Sequence, residues 1–503
     1  MSEDAAVAPD PETRTGLVRQ LGLVGLAATG ICSMLGAGIN VFPIMIQRNV
    51  PGIGPHVLSA FAFAAAPAIF AALAYAILAS AMPRAGGSYI FASRGLNPYL
   101  GFVASFSQWF GLSIAIGVVA YLVVPFLRDV VGALGLDGLA SALDTGPFRV
   151  GVALSFLWIF VGVNLRGVKA YERTLVPMMF VMFALGAIVI VAGFSFDHAD
   201  FAAALSVREG AVVPDSGAPA LRPWTFLAAS AVFFSGFIGF DAIAQAGGEA
   251  RNPRRALPVA IGIAVVTVGT YYMLFTAAIY HAVPWEFMAE RARTQDLTAP
   301  GLLGYVLPDG WTIAIVAGAA IALTNDIPAM LLSVSRLMFA WAEDGIFPRR
   351  MAAVHPRWHT PHVAIVFSAL VASAGIFGSQ FAGDFFVGVD ILVTSMLVNF
   401  LLMCVTVLTL PGRNPAIASH IGVLPVRRVQ RFVATVGAVL LSGFLVIHIS
   451  KDLTTEMDAW YFHSTYLWIA VMGLASLVYL REVRRQRAAG VDLDTRFSAL
   501  PPE

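Results

Sequence analysis

Two glycine pairs stand inside long apolar stretches of this sequence. One is Gly36-Ala37-Gly38, between Ser33 and Asn40; the other is Gly236-Phe237-Ile238-Gly239, between Ser235 and Asp241. Glycine costs a helix about 1 kcal/mol relative to Ala, so each pair marks a place where a helix can open. An opened helix bares amide N–H groups at one new end and carbonyls at the other. The N–H end attracts an anion such as a carboxylate, and the carbonyl end suits an ammonium or a metal cation. The competing reading of such a pair is tight helix packing through small residues. Two carboxylates add titratable chemistry. Asp326 lies in Thr324-Asn325-Asp326-Ile327-Pro328, within an apolar run, where an ionisable group is costly and marks a proton or cation site by default. Asp241 follows the second glycine pair, placed either to titrate or to hold the opened segment by hydrogen bonds.

Other groups do not combine into a reactive set. His355, His359 and His362 have helix-like spacing, but Pro356 and Pro361 interrupt that helix, so a metal site is not expected there. His448 stands alone in one apolar stretch and His281 ends another. There is no GxxxxGK[ST] phosphate loop, which argues against ATP-driven pumping. No enzyme and no cofactor are expected beyond a coupling Na+ or H+.

The elements that must hold these groups are apolar throughout. Of 503 residues, 58% are hydrophobic and 12% charged, against about 25% charged in a soluble domain. With a mean hydropathy of +0.79, the solvent for most of the chain must be lipid. Apolar stretches of spanning length lie near 20–47, 54–81, 98–127, 149–165, 174–194, 224–247, 257–281, 311–340, 361–379, 385–410, 430–449 and 463–480. These predict an all-α membrane protein of twelve spans. With the N-terminus in the cytoplasm, 23 of the 31 Lys and Arg fall inside and 8 outside, the asymmetry expected of a correct topology. Both termini are therefore expected inside, with residues 1–17 as a polar tail and no cleavable signal. Cys32 and Cys404 fall within apolar stretches and are expected buried and reduced. A net charge of +1 gives no reason to expect a nucleic-acid partner.

The glycine pairs fall in spans 1 and 6, five apart. Five is odd, so a second five-span unit would be inverted relative to the first. Interruptions at matching places in two inverted repeats point to the central site of a transporter.

Four motifs, in order, resemble those of the amino acid–polyamine–organocation (APC) transporters. They are Leu35-Gly36-Ala37-Gly38-Ile39 in span 1; Pro83-Arg84-Ala85-Gly86-Gly87-Ser88-Tyr89 in loop 2–3; Phe237-Ile238-Gly239-Phe240-Asp241 with Gly248 to Pro258 after it; and Ala342 to Pro348 with Thr360-Pro361-His362 in loop 8–9. The resemblance runs from about residue 20 to 365. It implies a LeuT-like architecture: a first repeat over 18–200, an inverted second repeat over 201–411, two peripheral helices over 412–482 and a cytoplasmic tail over 483–503. It implies an amino acid as solute, moved across the cytoplasmic membrane by alternating access. The carboxylate would lie against Leu35, Gly36, Ala37, Gly38 and Ile39, and the amine against Ser235, Gly236, Phe237 and Phe240. A polyamine, another organic amine or an inorganic ion on the same fold is the alternative.

The resemblance also places Asp326, with Thr324 and Asn325, where relatives line a coupling-ion site opposite helix 1. A helix break before Pro328 is expected to free carbonyls there. Met182 occupies the position at which some proton-coupled relatives carry a Lys. Asn40 stands where many relatives have Phe; Ser235 and Met330 fall near aromatic contacts, so side-chain specificity is expected to differ. Glu249 is expected to pair with Arg251, Arg254 or Arg255, as a loop salt bridge or an inward-gate latch. Asp390 and Asn399 face either the pocket or a neighbouring helix. The basic run Arg481 to Arg487 is read as an anchor at lipid headgroups. A monomer or homodimer is expected.

Overall fold

A computed structural model describes residues 16–36, 38–215, 217, 219–382, 386–455 and 463–501. The expected tail over 1–17 lies almost wholly outside the described residues. Twelve helices are long and apolar enough to cross a membrane, and no strand occurs among the described residues. Span 1 is Leu23–Asn49, span 2 Gly54–Ala81, span 3 Pro98–Ala133, span 4 Gly146–Leu165, span 5 Val168–Ser195 and span 6 Pro223–Gln245. Span 7 is Pro253–Ala282, span 8 Gly310–Glu343, span 9 His362–Phe381, span 10 Val387–Arg413, span 11 Arg427–Thr454 and span 12 Ser464–Ala488. The expected count of twelve is met. Spans 5, 11 and 12 run well beyond their apolar stretches because charged turns at the boundary remain helical. Span 5 begins at Val168 and so includes Lys169, Glu172 and Arg173. Span 3 begins sharply because Asn97 accepts from the amides of Tyr99 (2.9 Å) and Leu100 (3.4 Å) and Pro98 takes the first helical position.

Burial sorts the spans into centre and rim. Within their most apolar windows, 94% of span 1 and 83% of span 6 are buried, against 33% of span 11 and 17% of span 12. The two spans that carry the glycine pairs are thus surrounded by protein. Spans 11 and 12 lie at the periphery. Span 2 meets its neighbours through a face of buried alanines that includes Ala60, Ala64, Ala68 and Ala71, the small side chains that bring helix backbones close in lipid.

Both described ends of the chain lie on one face, called here the terminal face. Two buried ion pairs tie it together. Arg94 grips Asp344 through two hydrogen bonds of 2.5 and 2.9 Å. Arg336 grips Glu249 through bonds of 3.0 and 2.6 Å. The expected pairing of Glu249 with Arg251, Arg254 or Arg255 does not occur, because its carboxylate is turned inward to span 8. The chain after span 12 folds back over this face. Arg496 donates to the Asp344 carbonyl (3.0 Å), Asn414 to the Ser498 carbonyl (2.8 Å) and Arg84 to the Pro501 carbonyl (3.1 Å). Arg94 completes its set of acceptors with the Ala499 carbonyl at 3.2 Å, while the Phe497 ring lies 5.2 Å from its guanidinium. Removing residues 490–503 therefore leaves a buried charged donor short of a partner, at a cost of about 1.5–3 kcal/mol. The truncated protein is expected to melt several degrees below the full chain in a fluorescence-detected unfolding assay. An unchanged midpoint would refute the role given to this strap.

Candidate functional site

Span 1 is two helices. The first half, Leu23–Met34, stops where the Leu35 amide bonds back to the Ile31 carbonyl (2.8 Å), and a second half, Gly38–Asn49, begins three residues further on. Ala37, within the gap, lies outside the described residues. Span 6 opens likewise. Its first helix, Pro223–Phe233, tightens into a 3-10 turn over Phe234–Phe237; Ile238 is extended, Gly239 has φ +134°, and a short helix resumes at Asp241–Gln245. Positive φ of this size is open to glycine and strained for other residues. The same glycine lies against the backbone carbonyl of Ser33, so a side chain there would strike span 1. The two openings thus touch, and each sets a helix C-terminus and a helix N-terminus near one point.

A cavity of about 60 Å³ lies at that point. Ser33, Met34, Gly36 and Gly38 of span 1 line it together with Ser235, Gly236 and Ile238 of span 6. Asp326 and Met330 approach from span 8, and Tyr272 from span 7, where its hydroxyl donates to the Met34 carbonyl (3.0 Å). Apolar residues of spans 3 and 10, including Val118, Val119 and Leu392, close the remaining sides. A water needs about 10–15 Å³ of such space, so the cavity has room for a few waters and no more. Both ends of span 1 are tied down around it. On the terminal face the amides of Gln20 and Leu21 bond to the Glu249 carbonyl (both 2.9 Å), and Arg251 donates its amide to Leu21 (2.8 Å). On the opposite face the Tyr280 hydroxyl donates to the Pro43 carbonyl (2.7 Å), and Gln47 donates to Tyr280 (3.1 Å).

The carboxylate of Asp326 sits directly against Gly36, so close that a methyl group on Gly36 would overlap it. Its Oδ1 is buried with no hydrogen-bond partner, an expensive condition that a bound cation or a proton relieves. Thr324 and Asn325, named with it from sequence, point elsewhere. The Thr324 hydroxyl bonds its own helix at Ala320 (2.6 Å), and Asn325 donates to the Cys32 sulfur (2.8 Å). The expected break before Pro328 is absent, since one helix runs over Asp309–Glu343. Proline is tolerated inside a span, although it leaves the carbonyl four residues back, that of Thr324, without its helix amide; Asn164 of span 4 donates to the Pro328 carbonyl (3.3 Å) and ties the two spans together.

Of the expected solute contacts, Gly36, Gly38, Ser235, Gly236 and Met330 line the cavity. Leu35 and Ile39 face the other way, with Asn40 and Met182, onto a void of about 20 Å³. Phe237 packs on Phe61 (centroids 5.3 Å apart), and Phe240 packs between Tyr75 (5.6 Å) and Phe400 (4.9 Å). Asp241 lies outside the cavity in a buried polar cluster. It accepts from the Gly239 amide (3.1 Å) and from Gln108 of span 3. The Gln108 carbonyl oxygen in turn accepts from Ser88 (2.5 Å), Gln245 (3.2 Å) and Asn399 (3.2 Å). Asn399 therefore faces a neighbouring helix; it also donates to the Tyr75 hydroxyl (2.7 Å). Tyr272 and Gln108 were not anticipated. Both are uncharged polar groups in mid-span, and a search for membrane-embedded polar residues of every kind would have flagged them.

Twelve spans, with the first and sixth opened around a shared buried cavity, define a multi-pass membrane permease. Comparison with known proteins identifies its family: the profile described as Amino acid permease matches residues 21–474, and the chain belongs to that family, within the APC superfamily. It is 28% identical over 373 residues to cationic amino acid transporter 4 of Mus musculus, covering 71% of this chain and 55% of the mouse protein. The chain thus spans about half the length of that relative. It is 26% identical over 380 residues to the branched-chain amino acid permease BcaP of Bacillus subtilis, covering 71% and 75%. It is 24% identical over 351 residues to the low-affinity putrescine importer PlaP of Escherichia coli K12, covering 69% and 70%.

Proposed function

We propose that this protein carries an amino acid across the cytoplasmic membrane by alternating access, with both chain termini in the cytoplasm. One observation carries the reading: the openings of spans 1 and 6 line a single buried cavity that Gly36, Gly38, Ser235 and Gly236 share. The N-terminus of the second half of span 1 offers amides to a carboxylate. The carboxylate of Asp326 and the carbonyl end of the first half of span 6 suit an amine. Family membership and the names of the relatives, which are amino acid and putrescine permeases, support the same class of solute. The cavity is too small for an amino acid as it stands, and the ties at both ends of span 1 fit a closed intermediate between two open states. The excess of Lys and Arg on the terminal face supports its cytoplasmic placement. Uptake of radiolabelled amino acids into proteoliposomes, with and without sodium and a pH gradient, tests the reading; no uptake of any amino acid under any gradient would reject it.

Asp326 is the coupling group in this reading, holding a sodium ion or a proton beside the solute. Asp326→Asn keeps the shape and removes the charge. It is expected to lower uptake at least tenfold and to abolish its dependence on the driving ion. Uptake with unchanged ion dependence would remove Asp326 from that role. A second reading, an organic amine as solute, draws on the same carboxylate as an anionic wall of the cavity. A thermal-shift panel separates the two, since stabilisation by putrescine but not by amino acids would select the amine.

A further inference from the structure

We propose that the groove on the terminal face, between the starts of spans 1 and 7, binds the headgroup of an anionic phospholipid. The groove encloses about 1090 Å³, and Arg19, Arg84, Arg251, Arg254 and Arg255 line it. No Asp or Glu lines it among the described residues. Glu249, the acid nearest in sequence to the last three arginines, is held on Arg336 and turned away from them. Arg251, Arg254 and Arg255 are exposed.

Two helix ends add to this charge. Span 1 starts at Leu23 after Gly22, and span 7 starts at Pro253 after Asn252; neither start has a side-chain cap. All four of these residues line the groove. Uncapped N-termini carry orphan amides and a positive end of the helix dipole, and both favour an anion. Arginines reaching past such ends make a phosphate site of high charge density.

The exit from the groove selects a lipid as the source of the phosphate. Leu23 and Val259 line the groove and are 41% and 50% exposed. From Val259 the exposed surface continues along span 7 through Ile263 and Val266. Their i, i+4, i+7 spacing makes one continuous helix face. The groove thus passes from guanidinium groups to an apolar stripe that descends into the bilayer, the order of groups in a phospholipid. Basic pockets between spans at the membrane surface recognise acidic headgroups in this way.

The test uses the purified full chain in detergent, titrated with phosphatidylglycerol, phosphatidylcholine or inorganic phosphate and followed by native mass spectrometry and thermal midpoint. Phosphatidylglycerol is expected to stay bound and to raise the midpoint, and the other two are not. Arg251→Gln, Arg254→Gln and Arg255→Gln together are expected to weaken that binding, by roughly fivefold per charge removed. Arg413→Gln, Arg428→Gln and Arg431→Gln, a charge-matched set at the ends of spans 10 and 11, are expected to leave it unchanged. The single Arg254→Gln variant gives the same ordering where the triple variant fails to purify. Equal retention of phosphatidylcholine, an equal effect of inorganic phosphate, or equal behaviour of the two triple variants would overturn the assignment.

Discussion

Arg336→Ala is expected to be among the most destabilising single changes in the protein. The guanidinium and the Glu249 carboxylate are each 1% exposed and joined by two hydrogen bonds. Removing one partner of such a pair leaves a buried, uncompensated charge, which costs about 3–5 kcal/mol. Glu249→Ala is expected to do the same from the other side. The double variant Arg336→Met with Glu249→Leu removes both charges and retains bulk, and is expected to recover much of the loss. Thermal midpoints of the four proteins in detergent measure this. If the double variant melts as low as either single variant, the loss comes from packing and the charge argument is wrong. The pair also joins the end of span 6 to span 8, so the recovered double variant can be assayed for uptake with its fold preserved.

The second large effect is expected at Gly239→Ala. With φ at +134°, an alanine is strained by about 1–3 kcal/mol. Its Cβ would also be driven into the Ser33 carbonyl, at the edge of the cavity. Either the opening of span 6 changes shape or the two openings part. Uptake in proteoliposomes is expected to fall at least tenfold, and stabilisation by solute to disappear with it. Gly262→Ala, at a span 7 position where an added Cβ meets nothing within 4 Å, is the control. It is expected to be neutral or slightly stabilising, because alanine is the better helix former. Undiminished uptake by the Gly239 variant would mean that the contact between the two openings is dispensable.

The fold was largely legible because a span is a local property. Each needs a long apolar run, and the runs are separated by polar turns rich in arginine. The openings were legible too, because the two glycine pairs, flanked by polar residues, stand five spans apart at matching places in two inverted units. Orientation around the site was harder to read. Leu35 and Ile39 belong to the same motif as Gly36 and Gly38 but face away from the cavity; once a helix unwinds, its period no longer predicts which way a side chain points. Phe240 fell in the motif yet packs against Tyr75 and Phe400, because a phenyl ring buries more surface there than beside a small cavity. Pro328 suggested a break, yet one helix runs through it over Asp309–Glu343, because a span packed on its neighbours tolerates the missing bond. Glu249 pairs not with its sequence neighbours Arg251, Arg254 and Arg255 but with Arg336, 87 residues away. Distant pairs of this kind are set by tertiary packing, which a single sequence does not display.

The strap after span 12 has a consequence for biosynthesis. Arg94 enters the membrane boundary early, but the carbonyl that completes its shell belongs to Ala499, 405 residues later. At about 5–20 residues per second of translation, that interval is roughly 20–80 s. Throughout it, the emerging chain lacks the last piece of the seam on its terminal face. Closure of that seam therefore comes late, long after Arg94 and its ion-pair partner Asp344 have both been made.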